Sequence, residues 1–288
     1  MRVIKNIHEM QETADNLRSA RKKIGLVPTM GYLHDGHLSL MRLARQNCDT
    51  LVVSIYINPI QFAPNEDFED YPRDFSRDEN LCQKESVDIV FYPGDSEMYP
   101  PEFRTYVITE ELSHTMCGIS RPEHFRGVTT IVSKLFHIIK PHIAVFGQKD
   151  AQQALIIRRM VEDLNLDTQI MTGPIVREKD GLALSSRNKY LSETERRLAP
   201  TLNHALQHAA DLIRKGTLDA LQIKQEMHIL INKSALVRAD YIEIVDYEML
   251  RPVTTIAAKT LIAIAAYIGN VRLIDNMLVE SINPFIFT

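Results

Sequence analysis

The stretch Val27-Pro-Thr-Met-Gly-Tyr-Leu-His-Asp-Gly-His37 joins an apolar run to an amphipathic one and places two histidines three residues apart. Apolar residues 24–27 predict a short buried strand, which the following proline and glycine end. The amphipathic run from Leu38 predicts a helix. Backbone N–H groups and the helix dipole attract anions at such a helix start, and His34 and His37 add directed donors. The stretch therefore predicts a strand, a phosphate-binding turn and a helix.

The same alternation of strand and helix continues through residues 1–176. Strand-like runs begin near residues 24, 51, 87, 143 and 168, with helix-like runs between them. This rhythm predicts an α/β fold, a doubly wound parallel sheet of the Rossmann-like, nucleotide-binding kind. Two helix-like runs and then two strand-like runs follow, at 193–215, 218–233, 241–245 and 261–267. We therefore expect a smaller α+β domain over residues 177–288.

Composition and charge exclude several classes of protein. The chain has 288 residues, 45% of them hydrophobic and 24% charged, so it can bury a sizeable core. A net charge of −4 without a long Lys/Arg block argues against nucleic-acid polymers as partners. The longest late apolar run, 261–268, is too short to cross a bilayer, so no membrane role is expected. Three widely spaced cysteines indicate neither a disulfide framework nor a zinc site and fit a reducing cytoplasm.

The histidine pair also admits other interpretations. Two histidines at this spacing are also compatible with ordinary surface residues of a turn, or with half of the ligands of a metal site. The flanking Gly31 and Gly36 favour phosphate, because they allow a close approach to the backbone. No third metal ligand stands at a recognisable spacing from His34 and His37, so no metal ligand is assigned.

Two further segments carry groups that suit phosphate. Phe146-Gly-Gln-Lys-Asp150 follows a predicted strand, so Lys149 would lie at the carboxyl edge of the sheet. A loop lysine paired with Asp150 is an equally good interpretation of that segment alone. Leu184-Ser-Ser-Arg-Asn188 offers two hydroxyls and a guanidinium for a triphosphate tail, although a solvent-exposed turn would have the same composition.

Amide side chains follow two of the predicted strands. Asn58 and Gln61 come at the carboxyl end of the strand that begins near residue 51, where they could hydrogen-bond a small polar substrate. Gln153 falls one helical turn beyond Asp150, on a face that could reach the same crevice. These residues predict a small-molecule subsite beside the phosphate-binding turn.

Taken in order, these segments resemble the pantothenate synthetase family, the pantoate–β-alanine ligases, of the nucleotidyltransferase-like superfamily that carries His-x-Gly-His. The matching segments are Val27 to His37, Asn58-Pro-Ile-Gln-Phe62, Tyr71-Pro-Arg73, His124-Phe-Arg-Gly-Val128, Phe146 to Asp150 with Gln152 and Gln153, Ser185-Ser-Arg-Asn188, and Tyr241-Ile-Glu-Ile-Val-Asp246. Together they cover nearly the whole chain, so the ordered set is more specific than any single segment.

The resemblance implies that ATP activates pantoate as pantoyl adenylate, from which the amine of β-alanine displaces AMP. It implies catalytic roles for His37, His34, Lys149 and Arg187. Gln61 and Gln153 would hold pantoate, and Gln61 would also meet β-alanine. The implied ATP-binding residues are Met30, Gly31, Tyr32, Leu33, His34, Asp35, Gly36, His37, Gly147, Gln148, Lys149, Asp150, Val176, Leu184, Ser185, Ser186 and Arg187.

Several further expectations accompany this resemblance. Mg²⁺ should accompany ATP, and Asp78 is a possible ligand, although a solvent-facing helix carboxylate is the preferred interpretation. A homodimer in the cytoplasm is expected from the family. The alternatives are a nucleotidyltransferase that leaves AMP on a phosphorylated small molecule, a non-catalytic ATP-binding sensor, and a class I synthetase-like protein. The last would need tRNA contacts, which the mild acidity and the lack of an anticodon-binding segment disfavour.

Overall fold

The strand predicted at residue 24 lies within a parallel sheet in the computed structural model, which describes residues 1–64, 66–282 and 285–288. The strands of this sheet are β1 (Arg2–Ile4), β2 (Ile24–Thr29), β3 (Thr50–Ile55), β4 (Ile89–Phe91), β5 (Ile143–Gly147) and β6 (Gln169–Gly173). Their order across the sheet is β1-β4-β3-β2-β5-β6. The α/β, Rossmann-like prediction is confirmed.

Helices connect these strands and continue beyond them. They are α1 (Ile7–Ser19), α2 (Asp35–Arg45), α3 (Phe75–Lys84), α4 (Asp95–Met98), α5 (Cys117–Ser120), α6 (His124–Ile139), α7 (Ala151–Asp163), α8 (Glu193–Leu198), α9 (Thr201–Arg214) and α10 (Ala220–Ile231). Leu38, Met41 and Ala44 form the buried face of α2, and this helix packs on β2, β3, β5 and β6. The spacing of apolar residues from Leu38 onward therefore reflects the face of α2 that packs against the sheet, as predicted.

A second sheet is antiparallel and lies in the C-terminal part of the chain. Its order is β10-β9-β8-β7, with β7 (Val237–Asp246), β8 (Thr260–Ile268), β9 (Val271–Ile282) and β10 (Phe285–Phe287). The sequence predicted parts of β7 and β8 but missed β9 and β10. A single helix over 193–215 was also wrong, because α8 ends before Pro200 and α9 begins after it. A proline inside a helix removes a backbone donor and clashes with the preceding turn.

Packing groups the chain into two units. The first comprises Met1–Ser113, Arg121–Gly147 and Ile156–Gly173, and the second comprises His114–Ser120, Gln148–Leu155 and Pro174–Thr288. Chain order alone does not show that residues 114–120 and 148–155 pack with the C-terminal part. Independent folding of residues 1–176 and 177–288 stays a prediction. Over the described residues, no helix is long and apolar enough to cross a membrane.

His142 joins three strands of the parallel sheet at their amino ends. Its Nδ1 accepts the backbone N–H of Ile24 at 3.0 Å, so this nitrogen carries no proton. The N–H of His142 donates to the carbonyl of Ile24, and its own carbonyl accepts from Gln169. Burial lowers the pKa of His142, and the nearby Arg18 adds to this effect. The folded state therefore favours the neutral imidazole.

We expect His142 to make the free energy of unfolding depend on pH. Because its folded pKa lies below the unfolded value of about 6.5, its contribution is present above that value and is lost as the pH falls through the folded pKa. Urea unfolding at pH 7.5 and 5.5 should show a smaller loss of stability in His142→Asn than in the parent chain. His8→Asn, at an exposed position of α1, is the control and should keep the parental loss. An unchanged pH dependence in His142→Asn would contradict the assignment.

Candidate functional site

The histidine turn lies where the chain leaves β2 and enters α2. His34 is the N-cap of α2, and its Nδ1 accepts the backbone N–H of Gly36 at 3.2 Å. The Nδ1 of His37 accepts the backbone N–H of His34 at 3.3 Å. In the neutral state, each ring therefore carries its proton on Nε2. The ring centroids are 4.1 Å apart, so two donors lie together at a helix N-terminus.

The strand order places this turn at the position where open α/β sheets bind ligands. β2 has β3 on one side and β5 on the other, so the connections leaving β2 and β5 diverge at their carboxyl ends. Met30 follows β2, and Gly147 ends β5. A Cβ added to Gly147 would lie 3.8 Å from the side chain of Leu40 in α2. These features support an anion site at the start of α2.

Asp78 supports the histidine turn from α3. It is 1% exposed, and its carboxylate accepts the backbone N–H groups of Tyr32 at 2.7 Å and Leu33 at 2.8 Å. Burial raises the pKa of Asp78, although these two donors oppose the shift. The expectation of a solvent-facing carboxylate was wrong, because the helix presents this residue to the turn. Over the described residues, no cluster of three or more His, Cys, Asp or Glu could hold a metal.

Gln61 connects the amide segment to the histidine turn. Its Nε2 donates to Sδ of Met30 at 2.9 Å, and its Oε1 accepts from Nδ2 of Asn58 at 3.1 Å. Asn58 also donates to the carbonyl of Gly127 and accepts from the Tyr99 hydroxyl at 2.8 Å. Burial raises the pKa of Tyr99, so its hydroxyl stays protonated and donates. Within the first unit, Gln61, one of the two predicted pantoate residues, thus contacts the predicted ATP turn.

The backbone of Gln61 is fixed by residues that the sequence left ambiguous. Its carbonyl accepts from Nδ1 of His124 at 3.0 Å and from the guanidinium of Arg121 at 3.3 Å. Arg121 also pairs with Glu66 at 2.5 Å. Burial raises the pKa of Glu66, but the hydrogen bonds and charge of Arg121, the N–H of Ala63 and the charge of His124 together lower it. The segment starting at Arg121 therefore positions Gln61, which sequence patterns could not show.

The second unit fixes the Lys149 turn through β9. Gln148 and Asn276 are buried, and the Gln148 amide donates to Oδ1 of Asn276 at 3.0 Å. Nδ2 of Asn276 donates to the carbonyls of Gln148 and Lys149, both at 2.9 Å. The Lys149 ammonium lies 3.6 Å from the Asp150 carboxylate, as the alternative interpretation of this segment expected. Ion pairing and phosphate binding are compatible at this distance.

β9 also contacts the serine turn, residues Ser186–Tyr190. Ser185 caps this turn, and its Oγ accepts the backbone N–H of Arg187 at 3.3 Å. Leu184 donates its backbone N–H to the carbonyl of Val176 at 3.0 Å, so these two predicted ATP residues are adjacent. The second unit therefore brings the Lys149 and serine turns to one strand, β9, which the sequence did not predict.

An ion pair between the half-buried Arg177 and the buried Asp275 fixes the loop beside Val176. Both guanidinium nitrogens of Arg177 donate to Asp275 of β9, at 2.6 and 2.9 Å. Burial raises the pKa of Asp275, and the charge of Arg177 opposes that shift.

Gln153 lies half-buried in the first turn of α7, whereas its neighbour Gln152 donates to the carbonyl of Thr115. Gln152 is therefore a structural residue.

Known proteins resemble this chain over nearly its whole length. The family described as pantoate-beta-alanine ligase matches residues 2–278. The pantothenate synthetase of Thermotoga petrophila is 55% identical over 276 residues, which cover 96% of this chain and 99% of the relative. That of Caldicellulosiruptor saccharolyticus is 53% identical over 280 residues, 97% of this chain and 100% of the relative.

Solved structures of the same family also resemble the chain. Pantothenate synthetase from Thermus thermophilus has a TM-score of 0.90 at 41% identity, covering 96% of this chain and 98% of that one. Pantoate-beta-alanine ligase from Francisella tularensis, complexed with beta-gamma ATP and beta-alanine, has a TM-score of 0.80 at 33% identity, covering 96% and 97%. The histidine turn, the fold and the similarity to these relatives over nearly the full length show that the chain belongs to the pantoate–β-alanine ligase family.

Proposed function

We propose that the chain condenses pantoate with β-alanine, with consumption of ATP, through pantoyl adenylate. A carboxylate oxygen of pantoate attacks the α-phosphorus of ATP, and the bond to pyrophosphate breaks. The amine of β-alanine then attacks the acyl carbon, AMP leaves, and the nitrogen loses a proton. Activation is needed because a free carboxylate is a poor acyl donor, whereas the adenylate releases AMP readily. Family membership and a relative complexed with beta-gamma ATP and beta-alanine support this reaction.

The contact between Gln61 and Met30 carries the proposal within the first unit. An amide suited to a small hydroxy acid touches the turn that presents His34 and His37 to an anion. We assign Gln61 to pantoate and β-alanine and Gln153 to pantoate. Asn58 has its side-chain amide engaged with Gln61, Gly127 and Tyr99, so we assign it to orienting Gln61 at the edge of the substrate site.

The charged and hydroxyl groups are assigned to ATP. Nε2–H of His37 and His34 would donate to phosphate oxygens as negative charge develops at the α-phosphorus. The Lys149 ammonium would neutralise the departing pyrophosphate, and Ser185, Ser186 and Arg187 would bind its oxygens. The backbone around these groups, from Met30 to His37, from Gly147 to Asp150, and at Val176 and Leu184, is assigned to the rest of the nucleotide.

Three further assignments rest on the family. Mg²⁺ would enter with ATP, held mainly by phosphate oxygens and water, as is usual for this ion. The chain would act as a homodimer, and it would do so in the cytoplasm. Analytical ultracentrifugation of the purified chain tests the dimer, and cell fractionation tests the location.

The products of the reaction test the proposed function directly. Pantoate, β-alanine and ATP should give pantothenate, AMP and pyrophosphate in equal amounts. Pantoate alone should support exchange of labelled pyrophosphate into ATP, because the adenylate forms before the amine attacks. AMP retained on the product would indicate a nucleotidyltransferase, and ATP binding without pyrophosphate release would indicate a sensor. ADP and phosphate as products would contradict the adenylate.

Loss of single donors should slow adenylation without unfolding the chain. His37→Ala and Lys149→Ala are each expected to lower the exchange rate by about 10²–10³-fold, the usual effect of removing a positioned transition-state donor. Arg187→Ala should mainly raise the KM for ATP. Rates come from single-turnover measurements, with circular dichroism as the check on folding. Near-parental rates in folded His37→Ala and Lys149→Ala would remove both residues from the mechanism.

A methyl group at Gly127 should displace Gln61. A Cβ there would lie 2.5 Å from the carbonyl oxygen of Ile60 and 2.6 Å from Cα of Gln61, and backbone cannot yield as a flexible side chain does. Gly127→Ala should lower kcat/KM for pantoate by about 10–10²-fold, since small misplacements are costly in catalysis. Gly94→Ala is the control, because a Cβ at Gly94 meets nothing within 4 Å. Parental pantoate kinetics in Gly127→Ala would contradict the assignment of Gln61.

A further inference from the structure

The backbone before the two histidines takes a conformation that L-residues rarely adopt. Gly31 has a φ of +82° and Tyr32 a φ of +49°. Glycine accepts this region readily, but for tyrosine it is sterically unfavourable. Successive left-handed residues reverse the chain between β2 and α2, and the reversal decides where His34 and His37 point. Such a conformation persists only where surrounding groups hold it.

The group that holds this backbone is the Asp78 carboxylate. One oxygen accepts the N–H of Tyr32 and the other accepts the N–H of Leu33. The Arg77 guanidinium lies 3.5 Å from this carboxylate and 5.0 Å from the centroid of the Tyr32 ring. A Cβ on Gly31 would come within 2.9 Å of the same carboxylate. One buried carboxylate therefore bonds two consecutive residues of the turn, Tyr32 and Leu33, and lies close to the preceding Gly31.

We propose that Asp78 is a positioning residue for adenylation, which acts by fixing the turn that aims His34 and His37. This inference rests on the proposed function, because it needs the histidines to meet ATP. Asp78 itself accepts two backbone N–H groups and acts on the reaction only through the turn. Its role requires a carboxylate, since both oxygens must accept. An Asn amide has one acceptor and would turn its NH₂ group against the second N–H.

The first test compares two Asp→Asn variants. Asp78→Asn should lower the pantoate-dependent exchange rate at saturating substrates by about 10²-fold, as expected for a small misplacement of catalytic groups. The KM for pantoate should stay within about twofold, since Gln61 is also held outside the turn, by Asn58, Arg121 and His124. Asp246→Asn is the matched control. Asp246 also accepts backbone N–H groups, those of Glu248, Met249 and Arg251, and no substrate role is assigned to it.

The second test asks whether Asp78 acts through the histidines. If it does, Asp78→Asn combined with His37→Ala should lose little more activity than His37→Ala alone, because the turn then has less to aim. Multiplied losses in the double variant would overturn the proposal. A large loss in His37→Ala with none in a folded Asp78→Asn would overturn it while leaving the proposed function intact. No loss in His37→Ala would instead remove the function on which the proposal rests.

Gly31→Ala provides a test that keeps Asp78 in place. Its Cβ would press on the carboxylate and disfavour the positive φ, so the turn shifts while the charge remains. If Asp78→Asn does not fold by circular dichroism, Gly31→Ala decides the matter. The proposal expects the same pattern, a lower exchange rate with a nearly unchanged KM for pantoate. A parental exchange rate in folded Gly31→Ala would overturn it.

Discussion

The pairing of β2 with β3 is the constraint on which the first unit depends. Six residues pair in register, from Ile24 with Thr50 to Thr29 with Ile55, and most of them are fully buried. Strands enclosed on both faces leave little room for charged chemistry along their length. Polar and catalytic groups must therefore lie where the strands end. The histidine turn follows one of these strands, and the amide segment around Gln61 follows the other.

Local patterns in the sequence were sufficient where one short segment contains the whole signal. The strand, turn and helix around His34 and His37 follow from apolar period, glycine and proline, all within about twenty residues. Asp78 could not be placed in this way, because it contacts residues 45 and 46 positions away. Helical periodicity ranked it as a polar surface position. Only the fold shows that its carboxylate accepts two backbone N–H groups of the histidine turn.

β9 was missed for a physical reason that also explains its importance. Its apolar pattern is interrupted by Asp275 and Asn276, which are both buried and both bonded. Strand patterns expect apolar residues at inward positions, so partnered polar residues weaken the signal. The same two residues fix Arg177 and the Lys149 turn. The departures from an ordinary strand pattern thus mark the part of the second unit that supports the candidate site.

Adjacent side chains of a strand point to opposite faces of the sheet. Asp275 therefore bonds Arg177 from one face of β9, and Asn276 bonds the Lys149 turn from the other. A slip of one residue against β8 would exchange these faces and abolish both contacts at once. Formation of the Lys149 turn as seen here then depends on the correct sheet register. If some molecules of this chain had a misregistered sheet, those molecules would be inert and the remaining molecules would be fully competent. Titration of active sites would reveal it as a reduced number of sites, each with its full turnover rate.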